Sequence, residues 1–205
     1  MEHSLIEDGM TIGEVQKLCD VHAAVFDGSI SDIHVAKDLT AVPGHPAKVY
    51  KDENAKILEL IETEIRPYIG LADKTSHLML RIGVERLLEV SIHYSRKENL
   101  FFPGLEKKGV TSIPKVMWGV DDEIRAALKS VNKTLSALEI DFDEMFIELE
   151  SALTKVVDMV TKENNIMLPM LCDKLTIYDW ILAYESSDEI GYFLDAPTED
   201  WVKKE

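Results

Sequence analysis

The sequence predicts an all-α protein: an antiparallel up-down-up-down four-helix bundle with extra N- and C-terminal helices. Apolar residues recur at helical spacing through four segments of about 20 to 30 residues, long enough for a bundle. Prolines, glycines and capping residues separate these segments by short links. No stretch carries the strict alternation of a strand.

The first helix starts at Thr11, whose Thr-x-x-Glu pattern with Glu14 is a capping box. Its stripe runs Val15, Leu18, Cys19, His22, Val25 and Phe26, and it ends before Gly28. A polar link then extends to Gly44, so residues 1–44 form a helix and link packing on the bundle proper, residues 45–205. Pro46 opens the second helix, which runs to Ile69 with Tyr50, Asn54, Ile57, Ile61, Ile65 and Tyr68 inward. The third is long, from Asp73 to Phe102, and places His93, Lys97 and Leu100 on one face. Pro114 opens the fourth, with Met117, Asp121, Ile124, Leu128, Val131 and Leu135 in line. The fifth covers Asp143 to Leu168, its stripe being Met145, Leu149, Ala152, Val156, Met159, Glu163 and Met167. A last helix follows Thr176, and its face from Trp180 to Phe193 either covers the bundle or serves a homodimer.

Charge narrows the partners. The net charge of −16, from 38 acidic against 22 basic residues, repels phosphate backbones, so neither nucleic acid nor an anionic membrane is expected. No apolar run approaches the roughly 20 residues of a membrane span. The N-terminus lacks the basic and apolar regions of a signal peptide. Cys19 and Cys172 are far apart and form no metal-binding or disulfide framework, which suits a reducing cytoplasm.

Polar residues interrupt the apolar stripes at mid-helix: Asn54, His93 with Lys97, Asp121, and Glu163. Buried charge without a partner costs several kcal/mol, so these groups must be compensated. A weak repeat relates two of them. The run from Lys97 to Pro103 echoes the run from Glu163 to Pro169, placing a polar residue six positions before a proline in each half. The repeat implies helix pairs related by a pseudo-twofold about one central site.

The segments PGHPAKVYKDENAKI, HYSRKENLFFPGLEKKG, PKVMWGVDDEIRAAL and TKENNIMLPM resemble the hemerythrin-like, or HHE, domain. With LIEDGMTIGEVQKLCDVHAAVF and SSDEIGYFL, they are most similar to a subgroup whose longer members carry a PAS sensor domain. The resemblance implies two irons held between four helices, by one His from each of two helices and His-x-x-x-Glu from each of the others. That spacing suits a metal site, because residues four apart share a helix face. Carried onto this chain, the single-ligand positions become Asn54 and Asp121, and the paired positions become His93 with Lys97 and Met159 with Glu163. All six histidines (His3, His22, His34, His45, His77, His93) lie in the first 93 residues, so the standard symmetric site cannot be assembled.

Three readings follow. A rebuilt site could hold iron, mononuclear or dinuclear, on His93 and Glu163 with His45, His22, Glu98 or Asp121 recruited. Alternatively Lys97 and Glu163 pair with each other in a metal-free polar core. Haem bound between His93 and Met159 is the third. Each residue also has a plainer role. His22 suits a hydrogen-bonded core position, His45 beside Pro46 a helix start, and Met159 simple packing. Asp121 suits a pair with a nearby Lys or Arg, and Arg96 to Glu98 a solvated charge run. The resemblance implies binding or sensing of oxygen, nitric oxide or redox state; the competing reading is a signalling or interaction module with a protein partner. No Glu-x-x-His, His-Glu-x-x-His or Gly-x-Ser-x-Gly motif and no nucleophile–base constellation appears, which favours a binding module over an enzyme.

Overall fold

The computed structural model describes residues 38–201. The predicted Thr11 helix, with Cys19 and His22, lies outside the described residues. All regular structure among the described residues is helical.

Helix α1 (Pro46–Leu60) begins where His45 accepts from the Ala47 amide and Pro46 supplies a preset first turn. It continues through a π-helical turn, Ile61–Ile65, into a 3₁₀ turn, Arg66–Tyr68. Asp73 caps α2 (Lys74–Leu87), accepting from the Thr75 and Ser76 amides. The single long helix expected here is interrupted. At Leu88–Glu89 the backbone tightens into three-residue spacing (Glu89 N–H to Arg86 O, Ser91 N–H to Leu88 O), and α3 (Val90–Arg96) starts afresh. A π turn, Lys97–Phe101, leads into α4 (Phe102–Lys107).

The longest pair is α5 (Ser112–Leu135) and α6 (Phe142–Lys162), which pack along each other and are joined by a short turn capped by Asp141. A third π turn, Glu163–Met167, and α7 (Leu168–Lys174) follow. Helix α8 (Ile177–Ile190) opens on a complete Thr176–Asp179 capping box.

The three π turns share one cause in the sequence. Each begins six residues before a proline: Ile61 before Pro67, Lys97 before Pro103, Glu163 before Pro169. Proline has no N–H to give to the helix and its ring crowds the carbonyl four residues back. A wider turn just upstream accommodates both effects. The repeat between residues 97–103 and 163–169 is therefore a repeat of backbone as well as of residue type.

Burial follows the predicted stripes. Every inward position named for α5 and α6 is buried, as are Tyr50, Asn54, Ile57, Ile61 and Ile65 on α1 and its extension. Close approach has its own requirement at Gly83, where a Cβ would stand 2.7 Å from Ile65 Cγ1, so α2 can lie directly on the first π turn. Helix α8 packs on α3 and on the Lys97–Phe101 turn. Its Trp180, Ala183 and the following Phe193 are buried and cover the bundle, while Tyr178 and Leu182 remain exposed. None of the described helices is long and apolar enough to cross a membrane.

Candidate functional site: a buried charge network

Lys97 stands at the start of its π turn, four residues after His93 on the same face, and Glu163 stands at the start of the equivalent turn. Asp121 comes from mid-α5 and Tyr50 from α1. All five side chains are completely buried. The Lys97 ammonium donates to Asp121 Oδ1 at 2.7 Å and to Glu163 Oε1 at 2.6 Å. Tyr50 O–H also donates to Glu163 Oε1, at 2.9 Å. The other Glu163 oxygen faces His93 Nε2 at 3.3 Å.

The network then runs outward. His93 Nδ1 lies 2.7 Å from Glu53 Oε2, and Glu53 Oε1 accepts from Arg96 at 2.7 Å and from the Phe193 backbone N–H at 3.0 Å. Both imidazole nitrogens thus face carboxylates, an arrangement that suits the doubly protonated ring. Tyr50 stacks on that ring at 3.9 Å. The Tyr94 ring lies 4.4 Å beneath the Lys97 ammonium, adding a cation–π contact.

Formal charge balances across the network: Lys97, His93 and Arg96 oppose Asp121, Glu163 and Glu53. The balance is uneven in detail. Burial alone pushes the Glu163 carboxyl up, but Lys97 and His93 more than offset this and hold it at about 2. Burial likewise pushes the Lys97 ammonium down, and Asp121 with Glu163 reverses the direction, so the amine stays charged. His93 is similarly raised, burial being outweighed by Glu163 and Glu53. Asp121 is left short. Burial and repulsion from Glu163 and Glu98 outweigh Lys97 and raise it to about 8, because one ammonium serves two carboxylates and Glu163 has a second cation. Asp121 Oδ2 has no hydrogen-bond partner among the described residues.

The remaining candidates lie elsewhere. His45 does not join the cluster through its cap: its Nδ1 is committed to the Ala47 amide, and its ring lies edge-on to Trp180 and Trp201 at 4.7 Å each. That is the helix-start role. Glu98 is buried against Arg125 in a two-pronged pair, both contacts at 2.8 Å. Asn54 is fully buried and donates to Asn164 Oδ1 at 3.0 Å, while Met159 belongs to the apolar core. His22 lies outside the described residues. Glu53 joins the network without having been named from the sequence, and Tyr50, placed inward there, had been given no part in a site. Arg96, expected in solvent, is fully buried, with its guanidinium over the Tyr192 ring.

A family model described as the hemerythrin HHE cation-binding domain matches residues 45–171, more than half of the chain. The chain belongs to that family. A second model, described as a family of unknown function (DUF438), matches residues 1–32, which lie outside the described residues. No curated protein matches the chain.

The family's description implies a cation, which the buried residues would have to hold. They do not fit a dinuclear metal centre. Lys97 as an ammonium has no lone pair, and it occupies hydrogen-bonding distance from both carboxylates that would have to face a metal. Both oxygens of Glu163 are already engaged, Oε1 by Tyr50 and Lys97 and Oε2 by His93. Among the described residues no group of three or more His, Cys, Asp or Glu is arranged to hold a metal ion. Haem is opposed by packing: Tyr50, Lys97 and Glu163 fill the space beside His93.

Proposed function

We propose that this protein is a hemerythrin-fold module whose cation is built in. The Lys97 ammonium takes the place of metal between Glu163 and Asp121, and the module works in signalling through a protein partner. One observation carries the reading: Lys97 Nζ lies 2.6 Å from Glu163 Oε1 and 2.7 Å from Asp121 Oδ1, with all three groups wholly buried. A fixed positive charge there serves the acidic groups that a metal would otherwise neutralise, holding Glu163 ionised and engaging one oxygen of Asp121. Signalling is supported by the resemblance to a subgroup whose longer members carry a PAS sensor domain.

A second reading is favoured by Asp121 Oδ2, a buried oxygen without a partner among the described residues. On it, His93, Glu163 and Asp121 hold a single iron that binds oxygen or nitric oxide, with Lys97 displaced. Metal analysis and a visible spectrum of the full chain, purified without added metal or chelator, separate the two. Substoichiometric metal and a featureless visible spectrum are expected. Stoichiometric iron would overturn the built-in cation, and a Soret band would assign haem instead.

A further inference from the structure

Beyond α8 the chain forms a strap, residues 195–201, that crosses the start of α1. The strap is exposed from Asp195 to Asp200 but anchored at both sides by buried aromatics, Phe193 and Trp201. Trp201 sits edge-on to His45 and to Tyr184, at 4.7 and 5.7 Å between ring centres. Next to it the strap backbone lies so close to Gly44 that a Cβ there would stand 2.3 Å from the Asp200 carbonyl carbon. Between the anchors the strap arches over a cavity of about 600 Å³, lined by Lys48, Asp52, Glu53, Lys56, Asp195 and Glu199. Leu194, at the bend into the strap, has φ 61°, a left-handed conformation strained for a side chain of that size.

Glu53 is where the cavity meets the buried network. Its Oε1 accepts from Arg96 and from the Phe193 N–H, while its Oε2 faces His93. One carboxylate therefore holds the core on one side and the root of the strap on the other.

We propose that the strap is a latch, and that Glu53 couples its closed and open positions to the arrangement of the His93–Glu163–Lys97 core. Both anchors must hold for the strap to arch over the cavity, and strain at Leu194 favours release when either is lost. A rotation of Glu53 that follows His93 withdraws the acceptor from Phe193. Opening of the strap, in turn, leaves Glu53 with one donor fewer. Coupling of this kind is reciprocal. The latch rests on the reading of the protein as a signalling module and supplies the moving part that such a module requires.

Hydrogen exchange and NMR of the full chain test it from both ends. Glu53→Gln leaves one side-chain acceptor oxygen for three donors (His93, Arg96 and the Phe193 amide). The Phe193 amide is expected to exchange about tenfold faster than in wild type, with α5 and α6 unchanged. Trp201→Ala, at the far anchor of the strap, is expected to shift the His93 ring resonances and to speed Phe193 exchange to a similar degree. Protection of Phe193 as in wild type in Glu53→Gln overturns the latch. Unmoved His93 resonances in Trp201→Ala overturn it equally, and that variant carries the test if Glu53→Gln fails to fold. Metal content measured on the same wild-type sample judges the built-in cation separately, so the two failures are distinguishable.

Discussion

Lys97 and Glu163 open two equivalent π-helical turns, and the ammonium of one lies 2.6 Å from the carboxylate of the other. The wider turn sets each charged side chain at the head of a proline-disturbed segment, where two halves of the bundle face each other. The pair is thus fixed by backbone as much as by charge.

Removing the cation is expected to be costly. Lys97→Met keeps the aliphatic bulk but leaves Asp121 and Glu163 buried without it, a loss of about 3–5 kcal/mol. Urea unfolding followed by circular dichroism measures it. A midpoint within error of wild type would show that the ammonium is not their essential partner.

Lys97→Glu restores an acidic residue four positions after His93. In the metal-free state it adds a third carboxylate to the cluster and should destabilise. Addition of Fe(II), Mn(II) or Zn(II) is expected to raise Tm of this variant and leave wild type unmoved, because a ligand that binds only the folded state stabilises it. Equal metal response in both proteins would contradict the role given to Lys97.

Stability should fall on both sides of a maximum near pH 4 to 5. Glu163 drops from an ordinary 4.5 to about 2 in the fold, so its contribution is complete above pH 4.5 and is lost as pH falls toward 2. His93 is raised above its ordinary 6.5, so its contribution is complete below that value and fades as pH rises through the folded one. Asp121 acts in the same direction as His93. The fold favours its proton, and stability is lost as pH rises from 3.8 to about 8. Chemical unfolding across pH 3 to 9 should therefore show a steep acid limb below pH 4.5, and a decline that begins near pH 4 through Asp121 and is joined above pH 6.5 by His93. Glu163→Gln should flatten the first, and Asp121→Asn should reduce the second.

His45→Ala separates capping from ligation. Loss of the bond to the Ala47 amide should cost about 1 kcal/mol. Metal content should be the same as in wild type; a drop in a bound metal would place His45 in a metal site after all.

Much of the bundle was legible because a 3.6-residue period writes the buried face directly into the sequence. The stripes of α5 and α6 needed nothing more, and Lys97 could be turned inward simply as the fourth residue after His93. Glu53 and Arg96 were harder to see. Their partners lie 40 and 43 residues away on other elements, and local charge runs look the same in solvent as in a paired core. A signal was present even so: Tyr50, Glu53, Asn54 and Ile57 follow helical spacing, which puts Glu53 on the inward face. The break at Leu88–Glu89 carries neither proline nor glycine and left no such mark. The His45 cap was foreshadowed by Pro46, whereas the edge-on contacts with Trp180 and Trp201 depend on chain closure from the far end.

The burial of Lys97 also makes it a chemical clock. Amine-reactive reagents reach surface lysines at once, but an ammonium with no exposed surface, clasped by two carboxylates, can be labelled only after the bundle opens around it. The rate at which that one lysine is modified would report global opening of the native protein, with no denaturant and no added probe.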